Sequence, residues 1–342
     1  MTDHPQGLSP EHHVLGLLAG KWVAQAISSA AALGVPDALE EAPLGIGDLA
    51  RRIECDALML ERLLAVLVGE EILTFSEEDE TYGLTEAGLL LCSGEDRLRD
   101  LATFIGSPSQ WAPWSSLADA VRAGTSAFER THGLSFYDHL EANPSDAAHY
   151  DEGVDRFTTG VARAVAKAYD FSAHRQLLDI GGGLGTCAYA ILDAWPQMSG
   201  TILDRPHVVS RAQARGEERG LAGRCACVVG DFFAELPAGA DLHILKHILH
   251  NWADEDAHRI LERSRAAIAP GGTLLLVEGV LHPGRGRSMS RLMDLEMMVL
   301  FGHGRARSKR ELQLLLRSAG WTLDRTTHPL DAFARLLIAR PR

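Results

Sequence analysis

A chain of 342 residues exceeds one ordinary hydrophobic core, so two domains are expected. Its 46% apolar and 23% charged content is that of a soluble globular protein, and a formal net charge of -13 opposes binding to nucleic acid or an anionic membrane surface. The five cysteines are odd in number and scattered, which gives neither a disulfide framework nor zinc spacing and fits a reducing, cytoplasmic setting.

Met1 to Pro10 is polar and lacks the apolar stretch of a signal peptide. No apolar run reaches the roughly 18 residues of a membrane span. Residues 11–34 place Leu15, Leu18, Trp22, Val23 and Ile27 among many alanines. That pattern is helical but apolar on more than one face, so the helix is expected to be buried, a partner subunit being one way. Gly34-Val35-Pro36 ends it. Ile46–Ile53 and Leu58–Leu67 read as two helices, followed by short strands at Ile72–Phe75 and Thr81–Leu84, a winged-helix pattern. A DNA reader would lay its second helix in the major groove. Here Asp56–Leu67 carries Glu61 and a single arginine, Arg62, with Glu70, Glu71, Glu77, Glu78, Asp79 and Glu80 close by, so phosphate contact is repulsive. Residues 11–100 are therefore read as a homodimerisation scaffold, with no nucleic acid or membrane partner.

Residues 101–170 are expected to be a helical linker that also lines the substrate site. Trp111, Trp114, Phe128, Phe136, Tyr137, Tyr150 and Phe157 are interspersed through it. Core packing accounts for most of them, while two or three are expected to surround a planar substrate, Trp111 and Phe157 being put forward. From Gln176, within a domain read as residues 171–342, the texture changes. Apolar runs at Leu177–Ile180, Met198–Leu203, Cys225–Val229, Asp241–Leu245 and Thr273–Glu278 alternate with helical stretches. Several runs are continuous, as strands buried on both faces are, so the fold class is α/β with a doubly wound sheet.

The first run ends in Asp179-Ile-Gly181-Gly-Gly183-Leu-Gly185, between a strand and a helix. Glycines let backbone approach a ligand closely. The dinucleotide fingerprint places two residues before its last glycine; here one residue separates Gly183 from Gly185, which suits S-adenosylmethionine (SAM), a ligand without pyrophosphate. Asp179 is expected to meet the ligand's ammonium end, directly or through water. Asp204 follows about twenty residues on, where acids grip ribose hydroxyls. At the third strand's end, Gly230 and Asp231 are expected at the adenine amine, with Phe232 covering the ring.

The segments LLDIGGGLGT, LDRPHVV, VVGDFF, LKHILHNWADEDAHRIL and PGGTLLLVEGVL resemble the class I small-molecule O-methyltransferases, in the style of bacterial polyketide-tailoring enzymes, over nearly the whole chain. The resemblance implies a Rossmann-like SAM domain behind a winged-helix dimerisation domain, and a small aromatic acceptor. It implies His250, beside Asn251, as the general base that takes a phenol's proton, Glu278 as the acid that orients the imidazole, and Arg205, Lys246 and Thr158 at the cofactor. It also implies that Met293 and Met297, on a helical stretch Arg291–Leu300, face the substrate. His247 stands three residues from His250, but no cysteine or acidic cluster completes a zinc site, and no metal is expected. Two positions depart from the plant enzymes: Ala306 replaces a second orienting acid, and Val154 a methionine against the cofactor. The rival readings are a tailoring enzyme on the same scaffold that supports decarboxylation or hydroxylation, and a SAM-binding DNA regulator.

Overall fold

The computed structural model describes residues 9–94, 97–282, 284, 286–330 and 334–342. The expectation of no leader falls largely on residues 1–8, which lie outside the described residues. The chain divides into two compact units, Met1–Trp111 and Ala112–Arg342.

In the first unit, helix Pro10–Leu33 starts at Ser9, whose Oγ accepts from His12 N at 3.2 Å, and stops at Gly34 with φ +75°, a left-handed C-cap. Its buried residues are Ala26, Ser28, Ala30 and Ala31. The expected burial of the whole helix does not occur within one chain: Val14, Leu15, Leu17, Leu18 and Trp22 are exposed, Trp22 at 73%. The expectation about membrane spans also needs correction, because this helix, with 24 residues and a mean hydropathy of 1.3, is long and apolar enough to cross one by length and composition. Helices Ile46–Arg52 and Ala57–Gly69 follow, the second capped by Asp56. Strands β1 (Leu44–Gly45), β2 (Leu73–Ser76) and β3 (Thr81–Leu84) pair antiparallel in the order β1-β3-β2, which gives the winged helix its wing. Leu49, Leu60, Leu64, Leu67, Leu73 and Tyr82 form its core.

The second unit begins with helices and then winds the main sheet: β4 (Gln176–Ile180), β5 (Ser199–Asp204), β6 (Cys225–Val229), β7 (Leu242–Lys246), β8 (Thr273–Leu281), β9 (Arg307–Ser308), β10 (Trp321–Pro329) and β11 (Ala334–Pro341), in the order β10-β11-β8-β7-β4-β5-β6, with β9 beside β8. β4 to β8 pair in parallel. Successive residues feed opposite layers: Leu177, Ile244 and Leu275 one core, Leu178, Leu245 and Leu276 the other. Burial on both faces explains the uninterrupted apolar runs. The antiparallel hairpin β10–β11 was not anticipated and makes the sheet mixed; Trp321 anchors it, fully buried, its Nε1 donating to Leu261 O at 3.0 Å. Because β5 lies on one side of β4 and β7 on the other, the winding reverses at β4. The crevice above the carboxyl ends there is where such sheets bind ligands.

Candidate active site

At that crevice β4 runs into the glycine turn. Gly181, Gly183 and Gly185 take φ of +68°, +59° and +84°, which L side chains rarely adopt. Two of them answer different needs. A Cβ on Gly185 would lie 2.5 Å from the Tyr189 ring, so this glycine packs the turn onto helix Thr186–Ala194, whereas a Cβ on Gly183 would meet nothing within 4 Å and would project into the cavity that the residue lines. Asp204, at the end of β5, fixes the turn: Oδ2 accepts from Gly183 N and Oδ1 from Arg205 N, both at 2.7 Å.

The cavity holds about 600 Å³. Its wall brings together Thr158, Gly181, Gly183, Asp204, Arg205, Gly230, Asp231, Phe232, Lys246 and Asn251, all expected from sequence, and adds Tyr137, Tyr150, Asp151 and Trp252. Lys246 Nζ donates to Thr158 Oγ1 at 3.1 Å. Asp231 is exposed, with Oδ1 taking Phe233 N at 2.9 Å. Arg205 lies over the Tyr137 ring at 5.1 Å. Val154, the expected departure, lines the same wall.

Asp179 sits below the glycine turn, fully buried; a Cβ on Gly182 would come within 2.8 Å of its Cγ. Neither carboxylate oxygen has a well-formed hydrogen bond. Burial pushes its pKa up to about 6, against the opposing pull of Lys246 and the Ala188 amide. Burial likewise raises Asp151 to about 7, although Arg211 Nη1 is 2.7 Å from Oδ2, and raises Asp204 despite its two amide donors. Two acids on the cavity wall, Asp151 and Asp204, and a third beneath the glycine turn, Asp179, thus carry charge that burial disfavours. Such a site fits a ligand that brings positive charge, and the sulfonium and ammonium of SAM supply it.

β7 ends in a second feature, the single 3-10 turn Leu249–Asn251. His250 Nδ1 is 2.8 Å from Glu278 Oε2, and Glu278 Oε1 accepts from Leu249 N at 2.8 Å. The glutamate side chain is 3% exposed and the imidazole 14%. With Nδ1–H donated to the carboxylate, the ring's lone pair is on Nε2. Asn251 has its amide on Tyr137 OH at 2.7 Å, a phenol whose pKa burial pushes up to about 12. The ground for rejecting a metal also needs correction: an acid does join the histidines, since donor atoms of His247, His250 and Glu278 all lie within 4.8 Å of one another. Both oxygens of Glu278 are nevertheless engaged, by His250 and by Leu249 N.

The expected substrate residues are not on the cavity wall. Phe157 packs against the core beneath the sheet. Met293 and Met297 lie on helix Met289–Phe301, Met297 buried. Trp111 closes the first unit, its ring 5.9 Å from Lys21 Nζ. Of the aromatic candidates in residues 101–170, Tyr137 and Tyr150 are the ones on the wall, without anything in the spacing to single them out.

The profile of the O-methyltransferase domain matches residues 114–322, and that of the O-methyltransferase dimerisation domain residues 15–94. The chain is 35% identical to a phenazine O-methyltransferase of Lysobacter antibioticus over 96% of this chain and 95% of the relative. It is 33% identical to the aclacinomycin 10-hydroxylase of Streptomyces purpurascens over 90% of this chain and 84% of the relative. An O-methyltransferase from neocarzinostatin biosynthesis, solved with SAM and 2-hydroxy-5-methyl naphthoic acid, matches with a TM-score of 0.77 at 32% identity, covering 93% of this chain and 96% of that one.

Proposed function

The chain belongs to the SAM-dependent O-methyltransferases that tailor secondary metabolites, and we propose that it methylates a phenolic hydroxyl of an aromatic, polyketide-type natural product with His250 as general base. The observation that carries the reading is the 2.8 Å contact of His250 Nδ1 with buried Glu278, which leaves Nε2 basic at the carboxyl end of the sheet. Bound SAM supplies an electrophilic methyl group. A neutral phenol is a weak nucleophile, and Nε2 would take its proton as the O–C bond forms and the methyl–sulfonium bond breaks, the sulfur leaving as a neutral thioether. Glu278 fixes the tautomer and stabilises the imidazolium. The glycine turn, Asp179 and Asp204 hold the cofactor's amino-acid and ribose portions, and Asp231, Phe232, Lys246 and Thr158 its adenine side. Residues 11–100 form the homodimer, 101–170 the linker, and 171–342 the cofactor domain; free thiols at all five cysteines fit work in the cytoplasm.

The test is incubation with methyl-labelled SAM and a panel of hydroxynaphthoates, phenazines and anthraquinones, with product mass spectrometry. A labelled methyl ether is expected. The likeness to a hydroxylase favours one second reading, oxygen insertion on the same scaffold. A product that gains oxygen and no label would establish that reading instead.

A further inference from the structure

Within the reading of His250 as base, we propose that Arg307 is a positioning residue which sets the imidazole by clamping the backbone on either side of it. The turn that bears His250 has little of its own to hold it. Its own bonds are Asn251 N to Ile248 O at 3.1 Å and Trp252 N to Leu249 O at 3.3 Å, and one 3-10 turn is not a stable unit by itself.

Arg307 is 2% exposed, and every arm of its guanidinium is used on this segment. Nη1 donates to Leu249 O at 2.7 Å, Nη2 to Trp252 O at 2.8 Å, and Nε to Asp254 Oδ1 at 2.8 Å. Leu249, the residue before the base, is thereby pinned at both ends of its backbone: its N–H by Glu278, its carbonyl by Arg307. The anchor is firm, because Arg307 stands on β9, paired through Val280 with the strand that carries Glu278. A second observation places the same loop against the turn. A Cβ on Gly304 would lie 2.9 Å from both His250 O and Asn251 O, so the chain at 304 presses on the base's own carbonyl. Arg305 completes the frame by holding the other oxygen of Asp254 at 2.9 Å. Only a planar fork can serve two carbonyls and a carboxylate at once; a lysine at this position offers a point charge on a flexible stem.

The experiment is a double-mutant cycle of Arg307→Lys and His250→Ala, read with 2-hydroxy-5-methyl naphthoic acid as acceptor. Calorimetric SAM affinity and melting temperature report integrity, and Gly304→Ala probes the same contact where R307K fails to fold. R307K should lower kcat by about 10- to 100-fold, the scale of an ångström's misplacement, with acceptor KM and SAM affinity changed less than about threefold. On the His250→Ala background the same change should cost less than about twofold, since the residue it positions is gone. Equal losses on both backgrounds, or wild-type kcat in R307K and G304A, would overturn the proposal. If His250→Ala alone keeps the full rate, or the acceptor is not turned over, the base assignment is left to the wider panel. The positioning is then read from the His250 ring resonances by NMR: a shift in R307K supports it, and unchanged resonances refute it.

Discussion

Replacing Asp179 with asparagine should make the empty protein more stable and the cofactor bind less tightly. The carboxylate is fully buried with no well-formed hydrogen bond, and burial lifts its pKa from 3.8 to about 6. Holding it charged at neutral pH therefore costs roughly 3 kcal/mol, at 1.36 kcal/mol per pH unit. An asparagine amide is itself a buried polar group that lacks partners, which offsets about 1–2 kcal/mol of this, so the net gain should be about 1–2 kcal/mol. That corresponds to a rise of roughly 2–8 °C in the melting temperature of a unit this size. The sign with pH follows from proton binding: the folded state holds this proton more tightly than the unfolded chain, so wild-type stability declines as pH rises from about 4 through about 6. The advantage of Asp179→Asn should be greatest above pH 7 and vanish near pH 4. SAM affinity should fall about 10- to 100-fold, because the cofactor's positive charge no longer meets an acid. Scanning calorimetry of the empty protein at several pH values and titration calorimetry with SAM read both effects. A variant less stable at pH 7.5 that binds SAM like wild type would show that Asp179 only braces the turn.

Gly183→Ala should fold and lose most SAM affinity, because its Cβ enters the cavity, whereas Gly185→Ala should lower the melting temperature by driving a Cβ into Tyr189; thermal shift with and without SAM separates the two. His250→Ala should slow methyl transfer by about a hundredfold with SAM affinity nearly intact; a mutant with full rate would make His250 structural. Light scattering should find a dimer at micromolar concentration, and Trp22→Asp, at the most exposed of the large apolar side chains, should weaken it about 30-fold or more, as loss of an interface anchor does; a wild-type monomer would remove the scaffold role of the first helix.

The parts of the fold that bury both faces of a strand could be read directly from residue order. Leu274–Val277 is continuous because each successive side chain enters a core, and Leu177, Leu178 and Ile180 do the same around buried Asp179. The C-terminal hairpin was not legible, since Thr322, Asp324, Arg325 and Thr326 break up its first strand. The helix at 10–33 was legible as apolar all round, but not that its outer face stays open within one chain. In the site, the glycine turn and the acids at strand ends follow from local spacing. Pairings across the chain do not. Glu278 meets His250 over 28 residues, Asn251 meets Tyr137 over 114, and Arg307 reaches Leu249 over 58. The first of these came from family resemblance; the other two gave no sequence signal, because an arginine or a tyrosine in a helical or loop context has many uses.

The two halves of the site are held by opposite physics, and this bears on turnover. The base turn is over-determined: Glu278, Arg307 and Tyr137 each satisfy groups on it, so it is set before any ligand arrives, as catalytic preorganisation requires. The cofactor site is under-compensated: Asp151 and Asp204 on the cavity wall and Asp179 beneath the glycine turn are all pushed toward their neutral forms by burial. A sulfonium relieves that cost, and the sulfur left after methyl transfer does not, because it is neutral. The same acids should thus favour substrate cofactor over product cofactor and assist product release, which limits many enzymes' turnover. Removing one acid should narrow the ratio of SAM to S-adenosylhomocysteine affinity. If Asp179→Asn weakens both ligands by the same factor, the acid reads only the ammonium they share, and release must be driven by another part of the structure.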